Sequence, residues 1–192
     1  MEMTEYWKGH PVVLASGSPR RKELLEQIGI RARICPSSLE ETSEADTPKG
    51  LVMELSDGKA REVASDCMPG TLVIGADTVV ALDNEILGKP KTPERAAQMI
   101  KSLEGRDHQV YTGVTVLLWL GEGLYHKTTF AECTDVSLWP MTQEEILAYA
   151  QSGEPLDKAG ASGIQGRFAA YIKGIRGDYT NVVGLPLGCL VH

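Results

Sequence analysis

Three Ser-Pro or Thr-Pro pairs mark helix starts in the first half of this chain and constrain its fold most. Serine and threonine are favoured N-cap residues, and proline suits the first helical position because its missing N–H would be unpaired there anyway. Apolar runs between these helix starts predict buried strands. The pairs are Ser18-Pro19, Thr47-Pro48 and Thr92-Pro93, the predicted helices cover 18–28, 47–63 and 92–103, and the predicted strands cover 11–16, 30–35 and 71–77.

The middle of the chain changes from alternating helices and strands to hairpins. Its features are a turn at Asp83-Asn84, strands over 108–119 and 124–138, and a capping box at Thr142 and Glu145 that starts a helix over 142–151. Strands that are joined both by helices and by hairpins favour a mixed sheet over a purely parallel one. The sequence therefore predicts a single α/β domain over 1–192, with helices flanking a mixed sheet.

The formal net charge of −7 argues against a nucleic-acid polymer or an anionic membrane as the partner, because both select basic surfaces. No apolar run approaches the roughly 20 residues that a membrane span needs, and the N-terminus lacks a signal-peptide core. The four cysteines are scattered singly, without the spacing of a zinc site or a disulfide framework. We therefore expect a cytoplasmic protein whose partner is a small molecule.

Two arginines stand where a helix dipole disfavours cations. Arg20 and Arg21 fall in the first turn of the predicted helix. The free N–H groups of that turn, with the hydroxyls of Ser16 and Ser18, would form an anion site, and a bound phosphate would compensate both cations. The alternative is that both arginines extend into solvent or pair with acidic residues of the same helix.

Acidic residues follow two of the predicted strands. Asp77 ends the apolar run 71–77, and an acid at the end of a buried strand can bind a divalent cation or act as a general base. The alternative is that Asp77 caps the following turn by accepting from the backbone near Val79. Glu40 and Glu41 follow the second predicted strand and could supply another carboxylate, or they could simply be solvated.

Two further segments carry groups suited to a phosphorylated ligand. In the stretch "LGKPK", Pro90 restricts the backbone beside Lys89, although a solvated lysine is the alternative. The glycine-rich loop 152–166 contains Lys158 and Gln165. The amide of Gln165 offers both a donor and an acceptor, which reading a nucleobase edge requires. A plain connecting loop could have the same composition.

Five motifs, in this order and spacing, resemble the Maf family of nucleoside triphosphate pyrophosphatases from about Val12 to Leu187. They are "LASGSPRRKELL", "IGADTVV", "LGKPKTPERAAQMIKSLEGRDHQVYTGV", "EPLDKAGASGIQG" and "GDYTNVVGLPL". The resemblance implies hydrolysis between the α- and β-phosphates with a divalent cation (Mg²⁺, Mn²⁺ or Co²⁺). It also implies a homodimer and a fold similar to inosine triphosphate pyrophosphatases, with an elongated mixed sheet and a central cleft.

The resemblance further implies roles for individual residues. The proton acceptor falls on Asp77, and the metal-binding acids are Glu40 and Asp77. The substrate-binding positions are Ser16, Ser18, Arg20, Arg21, Lys59, Thr78, Lys89, Lys158 and Gln165. Three of these, Arg20, Thr78 and Gln165, match positions tied to the choice of substrate.

The motif "ADTVV" and the glutamine in "GIQG" are similar to the branch that hydrolyses dTTP and UTP, including modified uridine triphosphates, as a house-cleaning activity. The alternative is a non-catalytic, nucleotide-binding regulator of cell division. Two positions depart from the family pattern. Ser162 stands where tyrosine is frequent, and the chain ends at "GLPLGCLVH", where relatives usually continue, so we expect a truncated C-terminal helix.

Overall fold

In the computed structural model, which describes residues 7–192, seven strands form one mixed sheet. They are β1 (Val12–Leu14), β2 (Arg33–Ile34), β3 (Leu72–Leu82), β4 (Glu85–Leu87), β5 (Asp107–Gly121), β6 (Leu124–Leu138) and β7 (Ile172–Arg176). Their order is β2-β1-β3-β5-β6-β7, with β4 beside β3. The β1 strand is parallel to β2 and β3, and the other pairs are antiparallel. The predicted α/β class with a mixed sheet is confirmed; residues 1–6 of the predicted domain lie outside the described residues.

Six α-helices accompany the sheet in the described part of the chain. They are α1 (Pro19–Gln27), α2 (Pro48–Ala64), α3 (Pro93–Leu103), α4 (Gln143–Gln151), α5 (Tyr179–Val183) and α6 (Leu187–Val191). The side chains of Thr47 and Thr92 cap α2 and α3 as predicted, and Thr142 and Glu145 form both bonds of the predicted capping box. Ser18 occupies the N-cap position of α1, but its side chain makes no capping hydrogen bond. Between residues 7 and 192, no helix has the length and apolar character needed to cross a membrane.

One edge of β3 has a gap between its two neighbouring strands, and the candidate site lies at this gap. Along one edge, β3 pairs with β1 over Leu72–Ile74 and with β4 over Val80–Leu82. Along its other edge, it pairs with β5 over Leu72–Ala81. Within the described residues, the edge formed by 75–79 therefore has no strand neighbour. Asp77 lies in this gap, where a ligand can approach the backbone and side chains of a buried strand.

Asp77 is at the centre of its strand, so the expectation that it ends the strand is wrong. The apolar pattern stops at this acid, but the strand continues to Leu82. The strand continues because its backbone stays paired with β5 as far as Ala81, and Lys59 of α2 compensates the buried carboxylate. The alternative reading, in which Asp77 accepts from the backbone near Val79, is not what the structure contains, since the side-chain partner is this lysine.

Close packing of α2 on the sheet positions Lys59. At Gly75, an added Cβ would lie 2.2 Å from the Ser56 carbonyl oxygen, and at Gly113 it would lie 2.1 Å from the Val52 carbonyl oxygen. Only glycine therefore allows this helix to approach β3 and β5 so closely. Gly113 is also the β5 partner of Asp77. The close approach brings the long side chain of Lys59 to the gap in the sheet.

The chain after residue 151 contains elements that the sequence did not predict. Short 3₁₀ helices cover Glu154–Asp157, Ala159–Ala161 and Arg167–Tyr171, followed by β7, α5 and α6. Four of the five β7 residues are exposed, so this edge strand shows no alternation of apolar and polar residues. The predicted loop 152–166 is thus a series of tight turns, and the following strand escaped detection because little of it is buried.

Candidate active site

One cleft of about 930 Å³ opens at the gap in the sheet. We call its ionic part the charged end, lined by Ser16, Ser18, Arg20, Glu41, Lys59, Asp77, Lys89 and Lys91. We call the other part the apolar end, lined by Val80, His108, Val110, Val136, Phe168, Ile172 and Val182. The two ends together give a cleft that can hold a ligand with an anionic part and an uncharged part.

A lysine between two carboxylates is the centre of the charged end. Lys59 Nζ lies 2.7 Å from Asp77 Oδ1 and 2.7 Å from Glu41 Oε1. The Lys59 and Asp77 side chains are only 12% and 11% exposed, whereas Glu41 is 59% exposed. The hydrogen bond from Lys59 lowers the pKa of Glu41. The arrangement holds one buried carboxylate beside a compensating ammonium group, with a second carboxylate facing solvent.

The structure brings Glu41, and not Glu40, into this cluster. Glu41 lines the cleft, while its neighbour is exposed and is not among the lining residues. The sequence contained this possibility as an adjacent acidic pair. It could not choose between the two because both lie in an irregular segment, where no strand or helix period assigns a side chain to one side. The metal-binding role of Glu40 stays a prediction from the resemblance.

Arg21 is tied to the protein by all three of its guanidinium nitrogens. Its Nε donates to the Gly184 carbonyl oxygen at 2.8 Å, Nη1 to Ser16 Oγ at 2.9 Å, and Nη2 to Thr78 Oγ1 at 3.0 Å. Burial lowers the pKa of Arg21, and the charge of Asp77 opposes this effect. Arg21 therefore joins the start of α1, the centre of β3 and the segment after α5.

Arg20 differs from its neighbour because its charge is available to a ligand. It lines the cleft and makes no hydrogen bond or ion pair with any residue from 7 to 192. The hydroxyl of Ser18 is also free of a capping bond, while Ser16 Oγ accepts from the Ser18 N–H and from Arg21. The anion site at the start of α1 stays a prediction, and Arg20, the Ser18 hydroxyl and backbone N–H groups are the groups free to form it.

The stretch around Pro90 supplies two further cations. Lys89 is exposed, lines the cleft and makes no hydrogen bond or ion pair with a described residue. Lys91 also lines the cleft, and its φ of 63° lies in the left-handed region that non-glycine residues rarely adopt. Sequence reasoning did not select Lys91; the signal that could have found it is a second lysine on the far side of a restricting proline.

The loop after α4 contributes one tethered and one free polar side chain. Lys158 Nζ donates to the Glu154 carbonyl oxygen at 2.6 Å and to Asp157 Oδ1 at 3.0 Å. Gln165 is exposed and lines the cleft. The loop is fixed by the N–H of Gly160, which donates to the Gly88 carbonyl oxygen at 3.1 Å. Lys158 and Gln165 thus both line the cleft, but the lysine is bound to its own loop, and their binding of substrate stays a prediction.

Thr78 connects the cleft to a buried polar network. Its Oγ1 accepts from Arg21 and lies 2.8 Å from Thr112 Oγ1. Thr112 in turn donates to the carbonyl oxygen of Asn181. The Asn181 side chain then bonds to the Val110 carbonyl oxygen and to Thr134. Thr78, a predicted substrate-binding residue, therefore holds α5 and the sheet together as well as lining the cleft.

His108 is the functional candidate that sequence reasoning missed. It is 1% exposed and lines the apolar end of the cleft. Its Nδ1 is buried without a hydrogen-bond partner in the described residues. Burial lowers the pKa of His108 to about 4, although Asp107 opposes this effect, so the imidazole is neutral near pH 7. The four histidines are separated in sequence, and nothing in their spacing indicated that one would face the cleft.

Comparisons with known proteins identify the family to which this chain belongs. The family model for Maf-like proteins matches residues 11–192. The chain is 52% identical over 191 residues to a dTTP/UTP pyrophosphatase of Agathobacter rectalis, with 93% of each chain covered. It is 48% identical over 181 residues to one of Lachnoclostridium phytofermentans, covering 94% of this chain and 92% of that protein.

A third relative and one solved structure complete the comparison. The third is a dTTP/UTP pyrophosphatase of Geobacillus sp., 51% identical over 182 residues, with 94% of this chain and 95% of that protein covered. The solved structure is a HAM1 protein from Coxiella burnetii, 16% identical, covering 67% of this chain and 73% of that chain with a TM-score of 0.49. On the family match and the identities to these curated relatives, the chain belongs to the Maf-like protein family.

Proposed function

We propose that this protein hydrolyses dTTP and UTP, including modified uridine triphosphates, between the α- and β-phosphates. The products are a nucleoside monophosphate and pyrophosphate, and the activity removes unwanted nucleotides. The observation that carries the proposal is the buried pair of Lys59 and Asp77, which shares one cleft with the unpaired cations Arg20 and Lys89. The names of the relatives support the same activity.

Asp77 is the residue we propose as proton acceptor. Its Oδ1 accepts from Lys59 at 2.7 Å, while its Oδ2 makes no hydrogen bond with any described residue. Lys59 holds the carboxylate in place through Oδ1, so Oδ2 is free to take a proton from the attacking water. As the water oxygen bonds to the α-phosphorus, the bond to the bridging oxygen breaks and pyrophosphate leaves. Arg20 and Lys89 would bind the phosphates and offset their charge.

The donor set at the charged end fits a divalent cation. Asp77 Oδ1 and Glu41 Oε1 both accept from the ammonium group of Lys59, and each carboxylate keeps a second oxygen without a partner among the described residues that a divalent cation would contact. Between residues 7 and 192 there is no cluster of three or more metal-binding side chains. Two carboxylates suffice for Mg²⁺, which commonly completes its coordination with water and substrate phosphates. When bound, Mg²⁺, Mn²⁺ or Co²⁺ would neutralise phosphate charge.

Three further parts of the proposal concern the protein in the cell. We propose a cytoplasmic location. We also propose a homodimer, whose mass sedimentation of the purified protein would measure. The substrate is a small-molecule nucleoside triphosphate, as expected from an acidic protein with a local cationic cleft. A non-catalytic regulator of cell division is not favoured, because the cleft contains both a candidate proton acceptor and cations that are free to bind phosphates.

The test is pyrophosphate release from a panel of nucleoside triphosphates with Mg²⁺, Mn²⁺ or Co²⁺. We expect turnover of dTTP and UTP, and we expect Asp77→Asn to lower kcat by about 10²–10⁴-fold, the range typical of a general base. The matched control is Asp83→Asn, in an exposed hairpin turn, which should leave kcat unchanged. An Asp77→Asn protein with the wild-type kcat would contradict the proposed role of this carboxylate.

A further inference from the structure

An irregular segment between β2 and α2 carries Glu41 to the cleft; we call residues 35–46 the strap. It contains no helix or strand, and its largest apolar side chain, Leu39, is 39% exposed. The N–H of Cys35 donates to the Leu14 carbonyl oxygen, but in the described chain no later strap residue pairs its backbone with that of another element. Burial and backbone pairing therefore do little to hold the part of the strap that carries Glu41.

One face of α2 holds the strap through side chains instead. Glu54, Gly58 and Glu62 are spaced by four residues, so they lie along the same side of the helix. Ser43 Oγ of the strap donates to Glu54. Leu39 covers Gly58, where an added Cβ would lie 2.6 Å from Leu39 Cδ2. The strap thus runs along this face in the direction opposite to the helix.

Glu62 makes the largest set of contacts with the strap. Its Oε2 accepts from Ser37 Oγ, from the Ser38 N–H at 3.1 Å and from the Leu39 N–H at 3.2 Å. Its Oε1 accepts from Ser38 Oγ. Hydrogen bonds to an ionised acceptor are stronger than those between neutral groups, and the serine hydroxyls lower the pKa of Glu62. Glu62 is not among the residues that line the cleft, so the proposed chemistry does not use it directly.

Glu41 lies at the tip of a tight turn between the two anchored parts of the strap. The Thr42 N–H donates to the Glu40 carbonyl oxygen at 2.8 Å, which closes a three-residue turn with Glu41 at its centre. Glu41 then meets Lys59 at 2.7 Å, but its side chain is 59% exposed and Lys59 is shared with Asp77. An ion pair with such an exposed carboxylate contributes little on its own. The anchors on either side of the turn therefore decide where Glu41 points.

We propose that Glu62 is a positioning residue, which fixes the strap and so holds Glu41 at the charged end for a divalent cation. The inference rests on the proposed function, because that function assigns the cation to Glu41 and Asp77. When the strap leaves α2, Glu41 is withdrawn and the cation loses one of its two carboxylates. The apparent dissociation constant of the cation then rises as the fraction of molecules with a bound strap falls.

The experiment measures the binding of Mn²⁺ to the nucleotide-free protein by calorimetry, together with the melting temperature. The variants are Glu62→Ala, Glu62→Gln and Glu44→Ala. Glu44 is the matched control because it is an exposed glutamate of the strap without a hydrogen bond or ion pair to any described residue. Its removal takes away the same charge from the same region and leaves the contacts with α2 in place.

We expect Glu62→Ala to bind Mn²⁺ about tenfold more weakly, which corresponds to a strap held on α2 in about one molecule in ten. Glu62→Gln should recover part of this affinity, because it lacks the charge, as alanine does, but keeps an acceptor oxygen for the strap. Glu44→Ala should remain within about twofold of wild type. The melting temperature of Glu62→Ala should fall by less than about 4 °C, because the strap buries little apolar surface.

A double-mutant cycle with Glu41→Gln tests whether Glu62 acts through Glu41. Adding Glu62→Ala to Glu41→Gln should weaken Mn²⁺ binding no further than Glu41→Gln does alone. Additive losses would overturn the inference, as would a wild type that binds no Mn²⁺, or wild-type affinity in Glu62→Ala. A Glu62→Gln protein as weak as Glu62→Ala would also overturn it, because the effect would then belong to the charge and not to the anchor.

The proposed function is measured separately, as pyrophosphate release from dTTP. A wild-type protein that releases none, while its Mn²⁺ affinity still depends on Glu62 through Glu41, would contradict the activity and leave the positioning role supported.

Discussion

The charged and apolar ends of the cleft differ in how each accommodates a buried polar side chain. At the charged end, Asp77 is nearly buried but is paired with Lys59, and Glu41 remains in contact with solvent. At the apolar end, His108 is buried more completely and has no partner at Nδ1, but it stays neutral. An ionised group can be buried only when an opposite charge or hydrogen bonds compensate it. A neutral polar group can be buried without a partner at a smaller cost in free energy. The two ends therefore differ in how the protein tolerates a buried polar side chain.

The two ends also depend on different packing. The charged end depends on α2, which approaches β3 and β5 through Gly75 and Gly113. The apolar end depends on β5, β6 and the 3₁₀ helix at Arg167–Tyr171, whose Phe168 is fully buried. The two ends share β3 and β5, but α2 contributes only to the charged end and the 3₁₀ helix only to the apolar end, so substitutions at the contacts of these two helices should affect one end more than the other.

The largest effect that separates the two ends is expected from Gly113→Ala. The new methyl group would collide with the backbone of α2, so the helix must move and withdraw Lys59 from Asp77. We expect the free energy of unfolding to fall by about 4 kcal/mol, measured by urea denaturation, with a loss of kcat. Gly174→Ala in β7 is the control, since an added Cβ there meets nothing within 4 Å. Equal stability of the two variants would show that the approach of α2 is not tight.

Arg21→Ala and Arg20→Ala test a second contrast, between an arginine bound to the protein and one available to a ligand. Arg21→Ala removes three hydrogen bonds to the protein, so we expect a loss of about 3 kcal/mol in stability. Arg20→Ala should change stability by less than about 0.5 kcal/mol, because this side chain has no bond to a described residue. Its KM for dTTP should instead rise about tenfold through the loss of a charge-assisted contact. The reverse pattern in melting and kinetic measurements would exchange the two assignments.

The smallest of these effects is a pH dependence that belongs to the apolar end. The pKa of His108 is about 4 in the folded protein, against 6.5 for an ordinary histidine, so the unfolded chain binds more protons between these values. Stability from this group is therefore lost as pH falls, by roughly 2 kcal/mol between pH 7 and pH 5. Glu41, whose ordinary pKa is 4.5 and is lowered further by Lys59, contributes its loss at lower pH.

Denaturation of His108→Phe over the same pH range should show this loss removed. His126→Phe should retain it, because that histidine is exposed. If both variants keep the wild-type dependence between pH 7 and pH 5, another group is responsible and His108 is not held neutral by burial.

Much of the fold could be predicted from local patterns in the sequence. The starts of α2, α3 and α4 were found because threonine caps and first-turn residues act within a few positions of one another. The β5–β6 hairpin was found because both strands are long. The prediction failed at β7, whose residues are mostly exposed, and at Asp77, where a charge interrupts the apolar pattern without ending the strand.

The candidate site was only partly predictable for a related reason. Motifs identified Arg20, Lys59, Asp77 and Lys89, and the cleft contains all four. They did not separate Arg21, which is bound to the protein, from Arg20, which is free. These distinctions depend on contacts with residues far away in sequence, such as Gly184, which no local pattern can supply.

The sequence by itself determined the α/β class, the helix starts, the long hairpin and the set of groups suited to a triphosphate. These properties follow from short-range physical rules: capping, periodicity and the donors and acceptors of each side chain. Only the tertiary structure decided that β1 and β4 leave a gap beside Asp77, that Glu41 and not Glu40 meets Lys59, and that His108 faces the cleft. Each of these depends on how distant segments pack, because burial and pairing are properties of the folded surroundings and not of the residue alone.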